Sequence, residues 1–336
     1  MSARARFTTL AAVLAAAVAL GLAGCSDEPG TRSPEPTATL RGCGPLEYDD
    51  VAGRPPSYVH GPLAALPNDH ALCAGSWLPS TGTDFVPQGL VVRGHQAWVS
   101  GYDDGDDGPF GRDTCRLLRI DTRTGRELAQ QAPIESAHAP RDHDVCRHGG
   151  GLALDEHGLW VSQRTKIWLL DPASLAVRRV WHLVDEVWGS VLVIDGDGRL
   201  GVAGFSGHHH KQLHWFEPAD LLAPGRIDIH PEDAVEVQVA PRSVQGAVWA
   251  DLGPGSARVW FTRSNTYCGE LWASPRRRVA FHPGAEGVAL AAGRLWVVSE
   301  TTAAPYFLQG GRPVVPALAA YDVRRFDRWR PSECGS

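Results

Sequence analysis

Three polar residues occupy one place in a recurring pattern, each just ahead of a glycine and a short apolar run. They are Gln88 in Pro87-Gln88-Gly89-Leu90, Gln245 in Val244-Gln245-Gly246-Ala247 and Glu286 in Ala285-Glu286-Gly287-Val288. Glu286 is the acidic member, and Glu300 closes the next apolar run, Leu295-Trp296-Val297-Val298-Ser299. Two carboxyl groups brought together share a proton or hold a cation, because close like charges do not both ionise cheaply. They also serve as an acid–base pair. Tyr102, Asp103, Gln163, Arg164, Arg263 and Asn265 end or follow the apolar runs that succeed the other copies. Convergence of these residues on one concave mouth makes a binding or active site. The plainer role for amides on such an axis is to hydrogen-bond strand ends and trapped water.

Three further clusters carry reactive residue types. Asp103, Asp104, Asp106 and Asp107 alternate with Gly in one loop and offer the hard oxygen ligands that calcium prefers. The loop lacks the glutamate and the spacing of an EF-hand and reads as a solvated acidic turn. His208, His209 and His210, with His214 nearby, supply imidazoles of the kind zinc binds, on what reads as an exposed loop. His138, Asp142, His143 and Asp144 crowd a link beside Cys146 and contain an acid–base pair for hydrolysis, without a nucleophile motif such as G-x-S-x-G. Neither a phosphate-cradling G-x-x-x-x-G-K nor a G-x-G-x-x-G between strand and helix occurs, which disfavours nucleotide cofactors.

The elements that must position these residues are repeats. An apolar strand led by a small or amide residue is followed by a turn and a second strand, which carries Trp in four of the five copies. Gln88–Val92 precedes Ala97–Ser100, Gly150–Leu154 precedes Leu159–Ser162, and Ser190–Val193 precedes Leu200–Ala203. Gln245–Val248 precedes Val259–Thr262, and Glu286–Leu290 precedes Leu295–Val298. Copies recur at the interval of propeller blades. Third strands end in acidic turns at Asp121, Asp171 and Glu217, and Val177–Leu183 reads as a more polar fourth strand. The fifth copy runs out near Tyr321-Asp322-Val323, and His70–Leu78 is expected to complete its blade, so that the two chain ends close one ring without exposed edges. The fold expected is therefore all-β, a β-propeller of five four-stranded blades closed by an N-terminal strand. A sixth blade, from Tyr48–Leu66 and the insert between Ile227 and Val239, stays open as the alternative. Trp98, Trp160, Trp260 and Trp296 are expected between neighbouring sheets rather than as a stacking platform. The glycines after the leading residues fit strands crowded at a central axis.

With Phe85-Val86-Pro87-Gln88-Gly89-Leu90, His148-Gly149-Gly150, Val244-Gln245-Gly246, Ala285-Glu286-Gly287 and Ser299-Glu300, the chain resembles uncharacterised secreted propeller proteins of actinobacteria. The resemblance spans most of the chain after Cys25 and implies fold and address. Gln88-Gly89-Leu90 is also similar to the opening motif of five-bladed glutaminyl-peptide cyclotransferases, although an E-G pair occurs in the repeats only at Glu286-Gly287. Glu286 resembles the calcium-binding inner-strand glutamate of lactonases of the gluconolactonase and senescence-marker type. Their further Asn and Asp ligands have no counterpart, since the other copies lead with Gln88, Gly150, Ser190 and Gln245. What this likeness implies is a possible Ca2+ at Glu286.

The amino terminus supplies an address. Arg4 and Arg6 precede an almost wholly apolar run from Leu10 to Leu22, long enough for a signal h-region and short for a membrane span. It ends in Leu22-Ala23-Gly24-Cys25, which resembles the bacterial lipobox, where the cysteine thiol takes a diacylglyceryl group. Residues 1–24 read as a lipoprotein signal peptide, 25–42 as the lipidated Cys25 and a flexible Pro/Thr/Ser-rich tether, and 43–336 as one propeller domain. The expected location is the extracytoplasmic face of the cell membrane, held to the bilayer by acyl chains including palmitate.

Seven cysteines suit that compartment, and six remain once Cys25 is lipidated. Cys115 and Cys146 bracket the end of the first copy and are expected to pair. Cys43 and Cys334, near the two ends of the domain, would clamp the closure, which leaves Cys73 with Cys268 by elimination. A net charge of −6 shows no basic footprint for nucleic acid. The function expected is a binding or scaffolding module whose tunnel mouth takes a small-molecule, peptide or protein ligand. The alternative is a metal-assisted, lactonase-like hydrolase or a cyclotransferase-like enzyme at the same mouth.

Overall fold

A computed structural model describes residues 42–79, 84–104, 114–135 and 145–334. The signal segment, Cys25, the tether up to residue 41, Asp106, Asp107, His138, Asp142, His143 and Asp144 lie outside the described residues.

The chain forms a five-bladed β-propeller. Strand β1 (Leu72–Ser76) precedes the first complete blade, which comprises β2 (Phe85–Arg93), β3 (Gln96–Asp103), β4 (Thr114–Asp121) and β5 (Glu127–Gln131). The second blade comprises β6 (Gly151–Leu154), β7 (Leu159–Gln163), β8 (Lys166–Leu170) and β9 (Val177–Leu183). In the third are β10 (Val191–Ile194), β11 (Leu200–Ala203), β12 (Lys211–Phe216) and β14 (Glu236–Ala240). Between the last two, β13 (Asp228–Ile229) adds itself in parallel to β9 of the second blade. The insert after Ile227 thus widens one blade and finishes another, which leaves no sixth. The fourth blade comprises β15 (Val244–Ala250), β16 (Arg258–Asn265), β17 (Cys268–Ser274) and β18 (Arg277–Phe281). The fifth takes β19 (Ala285–Ala291), β20 (Arg294–Ser299) and β21 (Leu318–Asp322) from one end of the chain and β1 from the other. Leu72 faces Tyr321 and Ser76 faces Leu318 in the antiparallel pair that closes the ring.

Blades are buried on both faces, which is why strands such as Ile167-Trp168-Leu169-Leu170 are apolar without alternation. Five apolar clusters fill the five gaps. Trp98 and Trp168 lie between the first and second blades, Trp160 between the second and third, and Trp215 between the third and fourth. Trp260 lies between the fourth and fifth blades and Trp296 between the fifth and first. Trp160 stacks on Trp181 with centroids 5.3 Å apart. The repeated tryptophans are therefore packing residues. His282 is fully buried in the fifth blade's approach, where its Nδ1 meets the Tyr321 hydroxyl at 2.9 Å and its Nε2 the Pro316 carbonyl at 3.0 Å. Burial pulls its pKa down to about 4.

The cysteine pairing differs from expectation in two of three bonds. Cys115 is bonded to Cys146, with Cα atoms 5.2 Å apart. Cys43 is bonded to Cys73 and Cys268 to Cys334, not Cys43 to Cys334 and Cys73 to Cys268. The reason is where the ends run. The N-terminal segment lies along β1, with Gly44 N–H donating to the Leu72 carbonyl at 2.7 Å. The C-terminal segment leaves the closure and crosses the fourth blade, where Ala280 N–H donates to the Arg330 carbonyl at 2.9 Å. Sulfurs bond only where their backbones approach within several ångströms, so the N-terminal segment is stapled to β1, which it lies against, and the C-terminal tail, which runs along β18, is stapled to the neighbouring β17 of the same blade. Among the described residues no helix is long and apolar enough to cross a membrane.

Candidate functional site

The five innermost strands, β2, β6, β10, β15 and β19, surround the axis. They crowd most at Gly89, Gly151, Gly246 and Gly287, where a waist of about 10 Å³ remains. A Cβ on Gly287 would stand 2.7 Å from the Gln88 carbonyl oxygen, so glycine is what lets these strands approach. An apolar funnel of about 280 Å³ lies on one side, lined by Leu90, Leu152, Leu192, Val248 and Val288 among others. On the other side is a polar cavity of about 780 Å³.

Three leading residues enter that cavity because their strands are irregular where they begin. Pro87 pairs with Gly101 and Gly89 with Ser100, so Gln88 is an extra residue in a bulge. Val244 pairs with Arg263 and Gly246 with Thr262, so Gln245 is another. Ala285 pairs with Ser299 and Val288 with Val297, which puts Glu286 in a third. Bulges bend the strand and re-aim the side chain. Copies led by Gly150 and Ser190 pair without such a break from Gly151 and Val191 onward.

Glu300 arrives from the turn after β20. Its N–H donates to the Gly284 carbonyl at 3.1 Å and its carbonyl accepts from Ala303 N–H at 2.9 Å, which fixes the turn. The short helix α1 (Pro218–Leu221) lies elsewhere, whereas α2 (Ala304–Phe307) continues this turn and carries Tyr306. The Gln88 Nε2 donates to Glu300 Oε2 at 3.3 Å, and Gln245 Nε2 donates to Glu286 Oε1 at 2.7 Å. Tyr306 hydrogen-bonds Glu300 and meets the Tyr102 hydroxyl at 3.2 Å. Tyr102 in turn stacks on His148, centroids 4.6 Å apart.

Both carboxyl groups are buried, Glu286 1 % and Glu300 7 % exposed. Burial first, then the charge of Glu300, holds Glu286 well above the usual carboxylate range, against the pull of the Gln245 amide. Burial pushes Glu300 up to about 7, opposed by hydrogen bonds from Gln88 and Tyr306. At neutral pH the pair therefore retains a proton. The same surroundings raise the phenols of Tyr102 and Tyr306. Among the described residues no arginine or lysine forms an ion pair with either glutamate.

Six expected mouth residues line the cavity: Gln88, Gln163, Arg164, Gln245, Glu286 and Glu300. Tyr102 stands behind them through Tyr306. Three expected residues serve elsewhere. Asp103 takes Arg116 at 2.9 Å, Arg263 takes Glu270 at 2.6 Å, and Asn265 accepts the N–H groups of Tyr267 and Cys268 to shape its turn. Arg263 is drawn away because Glu270, opposite it on β17, is a buried acid that needs a cation. Trp188, Phe205, Arg147, His148 and Tyr306 line the cavity without having been singled out from the sequence. Trp188 and His148 each stand two residues ahead of a leading residue, Ser190 and Gly150, and so had a positional signal.

Among the described residues no three His, Cys, Asp or Glu side chains group to hold a metal ion. Glu286, the expected calcium ligand, accepts from the Gln245 amide and has Glu300 as its carboxylate neighbour. His208, His209 and His210 are exposed, while His214 is buried on β12 beside Phe216.

No protein-family model matches the chain, and no curated protein matches it in sequence. No matching sequence therefore stands behind the resemblance to actinobacterial lipoproteins, cyclotransferases or lactonases. Solved structures similar to it include BamB from Moraxella catarrhalis, at 14% identity over 70% of this chain and a TM-score of 0.29. The chain spans 57% of that protein's length. A PQQ-bound aldose sugar dehydrogenase from Streptomyces coelicolor shows 14% identity over 77% of this chain and 81% of its own, with a TM-score of 0.32. A GH43_1 enzyme from Xanthomonas citri shows 12% identity over 71% and 87%, with a TM-score of 0.43. None of these likenesses carries an activity over to this chain.

Proposed function

We propose that the chain is a binding module whose ligand occupies the polar mouth, and that it works outside the cytoplasm on a lipid anchor at Cys25. One observation carries the binding reading: two carboxyl groups lie buried together at the cavity, and among the described residues no cation forms an ion pair with them. Folding does not explain that arrangement, since buried acids without a cation cost stability. A ligand that donates protons or positive charge to them does. The lipobox-like Leu22-Ala23-Gly24-Cys25 supports the anchor.

Thermal unfolding with panels of amines, polyols, amino acids and short peptides tests the mouth. A class that raises Tm in wild type, but not in Glu286→Gln or Glu300→Gln, supports the reading, because a ligand of the native state stabilises by mass action. No rise with any class overturns it. For the anchor, Cys25→Ser is expected to move the folded protein from the membrane pellet to the soluble fraction, and retention in the pellet refutes lipidation.

A second reading, proton-transfer catalysis without metal, is favoured by the unequal pair itself. Burial and the Glu300 charge hold Glu286 well above the usual carboxylate range, while Glu300 is pushed up to about 7 beside Tyr306, so the two differ as an acid and a base do. Release of ammonia from a peptide with N-terminal glutamine would establish the cyclotransferase form of this reading.

A further inference from the structure

The mouth is acidic at its floor and basic at its rim. Glu286 and Glu300 are buried, whereas Arg147 and Arg164 line the same cavity and are exposed. The Trp188 ring, also in the wall, carries two cations: Arg164 Cζ lies 4.3 Å and Lys211 Nζ 3.9 Å from its centroid. Cation–π attraction gathers both there against their mutual repulsion. Among the described residues Arg147, Arg164 and Lys211 have no carboxylate partner. The acids beside Trp188 in sequence do not line the cavity, and Asp185 stands near His230 at 3.9 Å while Glu186 acts on His214. Trp188, Phe205 and Tyr306 supply the ring surface of the wall.

We infer that the mouth takes an amphoteric small molecule, with its amino group at Glu286 and Glu300, its hydrocarbon body against Trp188 and Phe205, and its carboxylate at Arg164 on the rim. This rests on the mouth being a binding site, and it names the ligand's chemistry. A cation at the floor restores the charge that burial opposes. An anion at the rim pairs with Arg164, which among the described residues has no carboxylate partner. Neither end alone satisfies both.

Calorimetric titration of the folded protein with 6-aminohexanoate, hexylamine and hexanoate tests it, repeated with homologues one and two methylenes shorter and longer. The amino acid series is expected to bind about tenfold or more tighter than either singly charged analogue, the worth of one added charge-assisted contact. Arg164→Gln, at an exposed position, is expected to reduce the amino acid to the affinity of the amine and leave the amine unchanged. Glu300→Gln is expected to weaken both amines and spare hexanoate. Equal binding of hexylamine and the amino acids, or tightest binding of hexanoate, overturns the amphoteric assignment while leaving a binding mouth. Absence of binding by every member overturns the assignment, and only failure across the wider panel of polyols and peptides overturns the mouth as well.

Discussion

Gln245 donates its side-chain amide to Glu286 across 2.7 Å, which ties the inner strand of the fourth blade to that of the fifth at their bulges. Thr262 repeats the tie one layer out, its hydroxyl donating to the Glu286 carbonyl at 2.6 Å. The carboxyl group is thus held by its side chain and its backbone together. The site is preorganised, and its electrostatic cost is paid in stability.

That cost should be measurable at Glu300. Folding raises its pKa from 4.5 to about 7, so the fold favours the protonated form. The stabilisation is complete below pH 4.5 and is lost as pH rises through 7. Glu300→Gln, neutral at every pH, is expected to exceed wild type by about 3 kcal/mol at pH 8 and to match it near pH 4. Urea unfolding at the two pH values checks both.

His282 contributes with the opposite slope. Its pKa falls from 6.5 to about 4 on folding, so its contribution is present above pH 6.5 and lost as pH falls through 4. The loss amounts to about 3 kcal/mol. Between pH 4.5 and 6.5 this slope opposes that of Glu300, while Glu286, raised in the same direction as Glu300, tilts the wild-type profile toward lower stability as pH rises. In nuclear magnetic resonance titration the His282 ring should stay neutral down to pH 5. Its protonation near pH 6.5 would contradict the burial argument.

Gly287→Ala should destabilise the ring because the new methyl meets strand backbone, including the Gln88 carbonyl at 2.7 Å. Overpacking of this kind costs about 1–3 kcal/mol, more where backbone must shift. Gly207→Ala is the control, with nothing within 4 Å of its added Cβ. A thermal scan should show a lowered Tm for the first and an unchanged one for the second.

Non-reducing peptide mapping should recover Cys43 with Cys73, Cys115 with Cys146 and Cys268 with Cys334. Cys334→Ser with Cys268→Ser releases the C-terminal staple from the fourth blade. A loss of about 2–5 kcal/mol is expected in unfolding, as for disulfides in secreted domains.

Much of this molecule was legible in its sequence, since a blade is a local unit. Its strands are neighbours in the chain, so the recurrence of the leading residues pointed to five blades and to the axis, with a sixth open until the fold places the insert after Ile227 in two existing blades. The incomplete fifth copy likewise marked His70–Leu78 as the closing segment, within which β1 forms. Which partner each polar side chain meets had no such signal. Arg263 was as good a mouth residue in sequence as Arg164, until Glu270 on the neighbouring strand claimed it. Tyr306 reaches Glu300 from a turn of helix outside the repeat, and the C-terminal tail chose Cys268 by lying across the fourth blade. Repeat spacing records contacts within a strand or between successive strands. Which carboxylate an arginine meets, and which sulfur another finds, depends on distances that exist only once the ring has closed.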